Sequence, residues 1–411
     1  MKKKHVIYSA VILAIAADNA QAQSNVTLYG LIDSGINYVT NTQTGRNANG
    51  TLNGKSSVSM SDGGVHGMFG SRWGLKGTEE LGGGLKAIFT LESGFGANNG
   101  ALAQGGAMFG RQAFVGLTGR AGTVTVGRQY DITGDFLGPI SPAMLAGISG
   151  CLPGDVDGLG RSRRINNTIK YVSPTYRGMS FGAMYAPGGR TGDLTGSQVW
   201  ALAANYTLED FSFAVGYFNA RDPNLSAFGN NPNSPGAASN NMGSIGSPTA
   251  AQVNPIYAGY ASAHTYETYS AGASYAIGHA TLGLVYSHVA FSALGDLNAG
   301  PNPFGYTGTA IFNNGTATLT YLLAPDTSVG LSYTYTHGGG VAGHDGSTYH
   351  QLTAAARYFL SKRTELYALG TYQIAHGTDS LGQPAVANIE LLSASSTNHQ
   401  FAARAGIVHR F

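Results

Sequence analysis

The stretch Gly82-Gly83-Gly84-Leu85-Lys86-Ala87-Ile88-Phe89-Thr90-Leu91-Glu92 carries the pattern that decides the fold of this chain. A three-glycine turn leads into a run in which every second side chain is apolar, and this period of two is typical of a β-strand. About ten residues suffice for a tilted strand to cross a bilayer. Similar runs occur at Val26–Tyr38, Phe211–Tyr217, Val329–Tyr335, Leu352–Leu360, Leu366–Ile374 and Phe401–Phe411.

The connections between such runs are of two kinds. Seven are short and turn-like: Gly82–Gly84, Arg120–Gly122, Arg177–Gly178, Glu209–Asp210, Gly278–His279, Ala324–Asp326 and Ser361–Arg363. The long ones are rich in Gly, Asn, Ser and Pro: Thr40–Ser57, Asp131–Asn166, Asp222–His264, Ser292–Gly308 and His376–Asn398. Short turns on one side and long loops on the other are typical of outer-membrane barrels.

Seven hairpins with one further strand at each end predict an all-β fold, a closed transmembrane barrel of sixteen antiparallel strands. Closure removes the sheet edges that would otherwise aggregate. A secreted β-sandwich is the alternative, but its connections would show no such two-sided rule of length.

Composition agrees with this fold. Of 411 residues, 61 are Gly and 23 are Tyr, and charged residues make up 11%. Soluble globular domains contain roughly 25% charged residues. These values exclude a charge-rich coiled coil, a disordered acidic chain and an ordinary cytosolic α/β enzyme. Cys151 is the single cysteine, so no disulfide forms within the chain.

Met1–Ala22 is predicted to be a secretory signal, with three lysines, the apolar stretch Val6–Ala17 and an Ala20-Gln21-Ala22 cleavage site. The apolar stretch is too short for a membrane anchor. Residues 23–411 are then one barrel domain outside the cytoplasm. Removing three Lys from 23 basic residues and Asp18 from 21 acidic residues leaves 20 of each. A neutral chain gives no reason to propose nucleic acid as a partner.

Five stretches carry a resemblance to a known family. They are Val26–Asp33, Ser71–Ala87, Phe109–Leu117, Val126–Gln129 and Arg164–Pro174. Together they resemble the Gram-negative general porins of the outer membrane, of the beta-proteobacterial type. The resemblance covers the chain after the signal and is densest from Tyr29 to Pro174 and at the C-terminus.

The resemblance implies a homotrimer in outer-membrane lipid, with the third loop, Asp131–Asn166, folded into each lumen. It also implies passive diffusion of small hydrophilic solutes and ions, with no enzymatic activity and no cofactor. Some porins carry an acidic Pro-Glu-Phe-Gly element in this loop. The loop of this chain lacks that element and has only four acidic residues, which argues against a marked cation preference: Asp131, Asp135, Asp155 and Asp157.

Strand parity selects the charged residues that should line the pore, because a charge on the lipid-facing side is costly. Arg72 alternates with apolar neighbours and is expected to face water, and Lys170 lies opposite Ile169 and Tyr171. Arg357 and Arg404 also lie on the polar parity of their strands.

Arg111 and Arg128 share parity with apolar residues, so simple alternation would point both outward. Either a bulge shifts the register or both lie near the rim, and the family resemblance favours the lumen. The predicted constriction has a basic wall opposed by acids of the loop, and gives a weak anion preference. The wall is Arg72, Arg111, Arg128 and Arg164 together with Lys170, and the opposing acids are Asp131 and Asp135. The alternative is that these arginines only anchor the third loop.

Other motifs are weaker. Asp155–Gly160 opens like a calcium loop, but Leu159 and Asn166 stand at ligand positions, so the EF-hand interpretation fails and only a looser site stays open. His344, Asp345 and His350 are interpreted as a solvated loop. No G-x-S-x-G or H-E-x-x-H motif occurs, so an outer-membrane hydrolase has no local support in the sequence. No metal site is predicted.

Two alternatives to a general diffusion channel remain open. A channel specific for an oligosaccharide or an organic anion would need a binding site in the lumen, to which Tyr29 and Phe218 could contribute. A surface adhesin would use the long loop Asp222–His264. Aromatic residues at strand ends are predicted to form interface girdles: Tyr38, Trp73, Tyr171, Tyr217, Tyr335 and Tyr358.

Overall fold

A computed structural model describes residues 25–229, 240–243, 245 and 250–411; the predicted signal Met1–Ala22 lies outside the described residues. The described part is mostly β-strand. The strands are β1 (Asn25–Arg46), β2 (Leu52–Asp62), β3 (Arg72–Gly82), β4 (Leu85–Gly94), β5 (Gln112–Gly119), β6 (Gly122–Tyr130), β7 (Arg164–Val172), β8 (Met179–Ala186), β9 (Val199–Leu208), β10 (Phe211–Arg221), β11 (Thr265–Ile277), β12 (Ala280–Leu294), β13 (Gly308–Ala324), β14 (Thr327–Gly338), β15 (Ser347–Phe359), β16 (Thr364–Gly377) and β17 (His399–Arg410).

These segments close into an antiparallel barrel of sixteen strand positions, which confirms the predicted fold. Each strand from β3 onward pairs with the next, and β17 pairs with β1. One position is shared, because β1 pairs with β3 through Asn25–Leu31 and with β2 through Ser34–Arg46. The second strand is therefore broken, and the short helix α1 (Gly63–His66) occupies the break.

One loop boundary predicted from sequence is wrong. Thr40–Ser57 was expected to be a long connection, whereas β1 continues to Arg46 and β2 starts at Leu52. Gly, Asn and Ser in this stretch stand in an extended hairpin with two register shifts. The long connections Asp131–Asn166, Asp222–His264 and His376–Asn398 lie between strands close to where the sequence placed them.

The two faces of the wall differ as the alternation predicts. On β1 the apolar side chains of Leu28 and Ile36 are about 60% exposed on the outer surface, at 59% and 60%. Asp33 and Asn37, on the opposite parity, are buried in the interior. Among the described residues, none of the helices has the length and hydropathy to cross a membrane.

The third loop folds into the barrel, as the resemblance implies. It contains two short helices, α2 (Ile132–Leu137) and α3 (Ala143–Ala146), which pack against the inner wall from β8 to β11 and from β14 to β15 respectively. Glycines on the wall make room for this packing. A Cβ atom on Gly330 would collide with Leu145 Cδ1, and one on Gly216 would lie 2.9 Å from Leu137 Cδ1.

An aromatic core fills the space between this wall and the outer loops. Six large rings of the described residues in it are completely or almost completely buried: Phe218, Tyr266, Phe291, Tyr306, Phe312 and Tyr349. Tyr257 and Tyr260 from the loop after β10 pack on Phe291. The third loop and this core thus occupy the β8–β16 side, and the opposite wall is formed by β1 and β3 to β6.

Candidate functional site

Glu92 and Tyr130 form the centre of a charged group on the β1 and β3–β6 wall. Glu92 lies on the inward parity of β4 and is 4% exposed. Its carboxylate accepts hydrogen bonds from Tyr29 Oη at 2.9 Å, Tyr130 Oη at 3.3 Å and Arg111 Nε at 2.7 Å. Two strands, β1 and β6, and the segment before β5 therefore converge on one carboxylate of β4.

Four guanidinium groups surround this centre, and we refer to Arg72, Arg111, Arg161 and Arg164 as the arginine cluster. The guanidinium carbons of Arg164, Arg161 and Arg111 lie 4.8, 5.4 and 5.8 Å from the centre of the Tyr130 ring. Arg72 Nε lies 4.0 Å from Glu92. Arg161 belongs to the inward-folded third loop, so its contact with Tyr130 shows that the cluster lies inside the barrel.

The structure shows how Arg111 and Arg128 escape the outward parity of their neighbours. Arg111 precedes the first residue of β5 and reaches back to Glu92. Arg128 lies at a register shift between Gly127 and Gln129 in the pairing of β6 with β7. Its guanidinium donates to Gly110 O at 2.8 Å and Asn166 Oδ1 at 2.6 Å. Arg128 therefore lies beside the arginine cluster and links β6 to β7.

Lys170 and Asp135 join the third loop to the cluster. Lys170 faces inward and is 9% exposed, and its Nζ lies 2.8 Å from Asp135 Oδ2. Asp135 Oδ1 lies 3.0 Å from Arg161 Nη2. The carboxylate of Asp135 thus bridges the wall and the loop beside the cluster instead of opposing it across the pore.

Asp131 lies apart from this group. It is 2% exposed, it caps the start of α2 through Thr133, and its Oδ2 lies 3.6 Å from Arg163 Nη1. Burial raises the pKa of its carboxyl above the ordinary value. The expected position of Asp131 opposite the basic wall is therefore not the one found, because the turn into α2 directs the carboxylate to its own backbone and to Arg163.

Around the arginine cluster, cations outnumber carboxylates. The six cations are Arg72, Arg111, Arg128, Arg161, Arg164 and Lys170, and the two carboxylates that contact them are Glu92 and Asp135. A cavity of about 640 Å³ is lined by residues of β1, β3 and β4, including Lys76. Lys76 stacks on Tyr29, which bonds Glu92.

Sequence reasoning missed Arg161, Glu92 and Tyr130. Glu92 stood on the polar face of its strand and could have been selected by parity alone. Arg161 lies in a loop without periodicity, so no pattern could place it against Tyr130. Tyr130 follows the register shift near Arg128, so alternation counted from Val126 gives it the wrong face.

The remaining predicted residues have other partners. Arg404 is fully buried in the interior and pairs with Asp33 at 3.1 Å, and Arg357 pairs with Glu365 at 2.6 Å. Phe218 is buried under Arg163, at 4.3 Å from its guanidinium carbon, and so does not present its ring to the lumen water.

The amino-acid sequence matches a family model described as Gram-negative porin over residues 9–375. The chain belongs to the Gram-negative porin family. This family consists of channels of the outer membrane rather than enzymes, so the predicted location and class are confirmed. The match extends over β1 to β15 and all but the last two residues of β16, and it ends before β17.

Individual relatives agree with the family. An outer membrane porin protein of Bordetella pertussis is 41% identical over 188 residues, which cover 44% of this chain and 48% of that protein. The chain thus spans about half the length of the curated relatives it matches. An anion-selective porin from Comamonas acidovorans has a similar structure, with a TM-score of 0.69 and 22% identity over 95% of this chain and all of that one. A trimer form of an outer membrane protein of Vibrio cholerae gives a TM-score of 0.58 at 14% identity, covering 94% of this chain and 99% of that one.

Proposed function

We propose that this porin forms a water-filled channel for passive diffusion of small hydrophilic solutes and ions, with a preference for anions. The observation that carries the proposal is the excess of six cations over two carboxylates around the arginine cluster. The cluster includes Arg161 of the inward-folded third loop, and the proposal takes this loop to be the part of the barrel that solutes pass most closely.

The preference follows from charge placed at a constriction. Charges along a narrow aqueous path between low-dielectric walls act on ions more strongly than charges on an open surface do. At 0.1 M salt the Debye length is about 10 Å, so the preference weakens as ionic strength rises. Arg72 and Arg161 keep 26% and 50% of their side chains exposed and therefore act directly on passing ions.

The porin of similar structure from Comamonas acidovorans is anion-selective, which supports this proposal. The trimer form of the Vibrio cholerae protein supports a second part of it, namely that the chain works as a homotrimer in outer-membrane lipid. Conductance steps in multiples of three after insertion of single particles would test the trimer.

The reversal potential in a planar bilayer under a tenfold KCl gradient tests the selectivity. The unmodified protein should give the sign of anion preference, and R161Q should reduce the chloride-to-potassium permeability ratio several-fold. Arg120 lies in a short turn on the opposite end of β5 and β6, so R120Q is the matched control and should leave the ratio unchanged. An equal ratio in all three proteins, or cation preference in the unmodified one, contradicts the proposal.

A further inference from the structure

Three side chains from the bases of two outer loops meet away from the pore constriction. Asp222 follows β10, His264 precedes β11, and Asp296 follows β12. One ligand atom from each lies within 4.8 Å of the other two. His264 Nδ1 is 2.8 Å from Asp296 Oδ2 and 3.5 Å from Asp222 Oδ1.

Each carboxylate uses one oxygen for the loop and directs the other at His264. Asp222 Oδ2 accepts hydrogen bonds from the backbone and hydroxyl of Ser197 and lies 3.4 Å from Arg190 Nη1. Asp296 Oδ1 accepts a hydrogen bond from the backbone of Asn298 at 2.9 Å. Fixed outer partners of this kind orient the ligands of protein metal sites.

The geometry points to a binding site for a divalent transition metal of the zinc class, held by Asp222 Oδ1, His264 Nδ1 and Asp296 Oδ2. Imidazole with two carboxylates suits such ions, and three protein ligands leave one position to water. Ligand atoms about 3.4 Å apart satisfy a tetrahedral zinc ion with bonds of about 2.1 Å. The separation of 3.5 Å between His264 and Asp222 already fits, and the His264–Asp296 pair opens slightly to admit the metal.

The metal would fasten two loops at their bases. Asp222 and His264 are the two ends of the longest loop, and the backbone N–H of Asp222 already donates to His264 O at 2.8 Å. Asp296 belongs to the next loop, and its backbone N–H donates to Ser262 O at 3.0 Å. These loops cover the aromatic core, so the metal would stabilise the outer part of the barrel without entering the ion path.

A proton is the competing occupant of the same place. A single Nδ1–H on His264 can donate well to only one of the two carboxylates, and Asp296 is the nearer. In the ion-pair arrangement, Asp222 Oδ1 therefore receives no hydrogen bond from His264. A metal ion would bind all three ligand atoms at once.

Isothermal titration of the EDTA-treated, detergent-solubilised protein with ZnCl2 at pH 7.5 tests the proposal. We expect saturable binding of one Zn²⁺ per protomer, weakened at least tenfold by H264Q and by D296N. His344 lies in another outer loop outside the cluster, so H344Q is the matched control and should bind as the unmodified protein does. Single-channel conductance would confirm that each variant is folded.

Hydrogen exchange gives a second readout that does not depend on the heat of binding. Zinc should slow exchange of the amides around Asp222 and Asp296 in the unmodified protein and in H344Q, but not in H264Q. Identical titrations for the unmodified protein and H264Q, or zinc protection that survives H264Q, would overturn the site and leave the ion pair as its occupant. Neither result would alter the reversal potentials that test the channel.

Discussion

Two charged groups lie at the third loop, and they differ in their access to water. The arginine cluster has an excess of cations and keeps Arg161 half exposed. The second, which we call the buried acid group, consists of Asp131, Asp155, Asp157 and Arg163, and its members are 2 to 6% exposed. There the imbalance is reversed, with three carboxylates to one guanidinium. The arginine cluster, which water reaches, can remain fully charged, whereas the buried acid group must lower its charge.

The buried acid group lowers its charge by keeping carboxyl groups protonated. Burial is the larger cause and the neighbouring charge of Asp157 the smaller one in raising the pKa of Asp155 from its ordinary value to about 7. Asp155 and Asp157 each accept hydrogen bonds from the backbone of the loop, and Asp157 also accepts one from Ser287 on β12 at 2.6 Å. The difference teaches that one loop uses charge in two ways: to act on ions where water is present and to hold its shape where water is excluded.

The largest effect should come from R163M, which removes the single cation of the buried acid group. Arg163 donates to Tyr266 Oη at 2.7 Å and pairs with Asp131. Loss of one partner from a buried ion pair costs about 3–5 kcal/mol, so the third loop should detach from the wall and single-channel conductance should rise and fluctuate. R177M, in a short turn, is the control. A variant with unchanged, quiet conductance would show that Arg163 does not hold the loop.

The second effect is the pH dependence of the third loop. A carboxyl whose pKa is raised from about 3.8 to about 7 contributes stability that is fully present below pH 4 and is lost as pH rises through 7. Exchange of the amides in residues 131–163, corrected for intrinsic rates, should therefore accelerate between pH 5 and 8. D155N should remove most of this slope, and D193N on an exposed outer loop should retain it. A slope that D155N leaves intact would assign it elsewhere.

The third effect concerns the arginine cluster. It changes the permeability ratio in the direction opposite to that expected for R161Q. E92Q removes the carboxylate on which Tyr29, Tyr130 and Arg111 converge. The net positive charge beside the ion path then increases, and the chloride-to-potassium permeability ratio should rise about two- to fivefold. The reversal potential under a KCl gradient measures it. A fall in the ratio would mean that Glu92 serves to position the arginines and that their placement outweighs its charge.

The smallest effect should come from R128Q. The Arg128 guanidinium is engaged by Gly110 O and Asn166 at the edge of the cluster. Its replacement should lower the permeability ratio by less than twofold, less than R161Q does in the same bilayer measurement. An effect as large as that of R161Q would extend the ion path to the β6–β7 edge.

Sequence predicted the architecture well because alternation and turns are local. The short turns at Gly82–Gly84 and Glu209–Asp210 lie between strands as expected, and the inward parity of Arg72 and Lys170 agrees with their contacts. The wall glycines Gly216 and Gly330, which make room for the third loop, were not predicted, although both share the inward parity of their strands.

The assembly of the site was not readable, because it depends on contacts between distant parts of the chain. The broken second strand has no signal beyond a short glycine-containing stretch around α1. Asp131 and Asp135 are only four residues apart in sequence. One turn of the loop backbone nevertheless places Asp131 in a dry environment and Asp135 in a wet one. Parity gives the face of a residue and never the partner it meets.

The tip of the third loop is held by hydrogen bonds to residues that are distant from it in the sequence. Ser149 contacts His66 of α1 at 2.6 Å, and its carbonyl accepts a hydrogen bond from Gln351 of β15. The carbonyl of Cys151 accepts a second from the same Gln351 amide at 3.0 Å. During folding the two hydrogen bonds from Gln351 cannot form until β15 is in place. Narrowing of the lumen is thus a late event of assembly, and an incompletely closed barrel is also a leaky one.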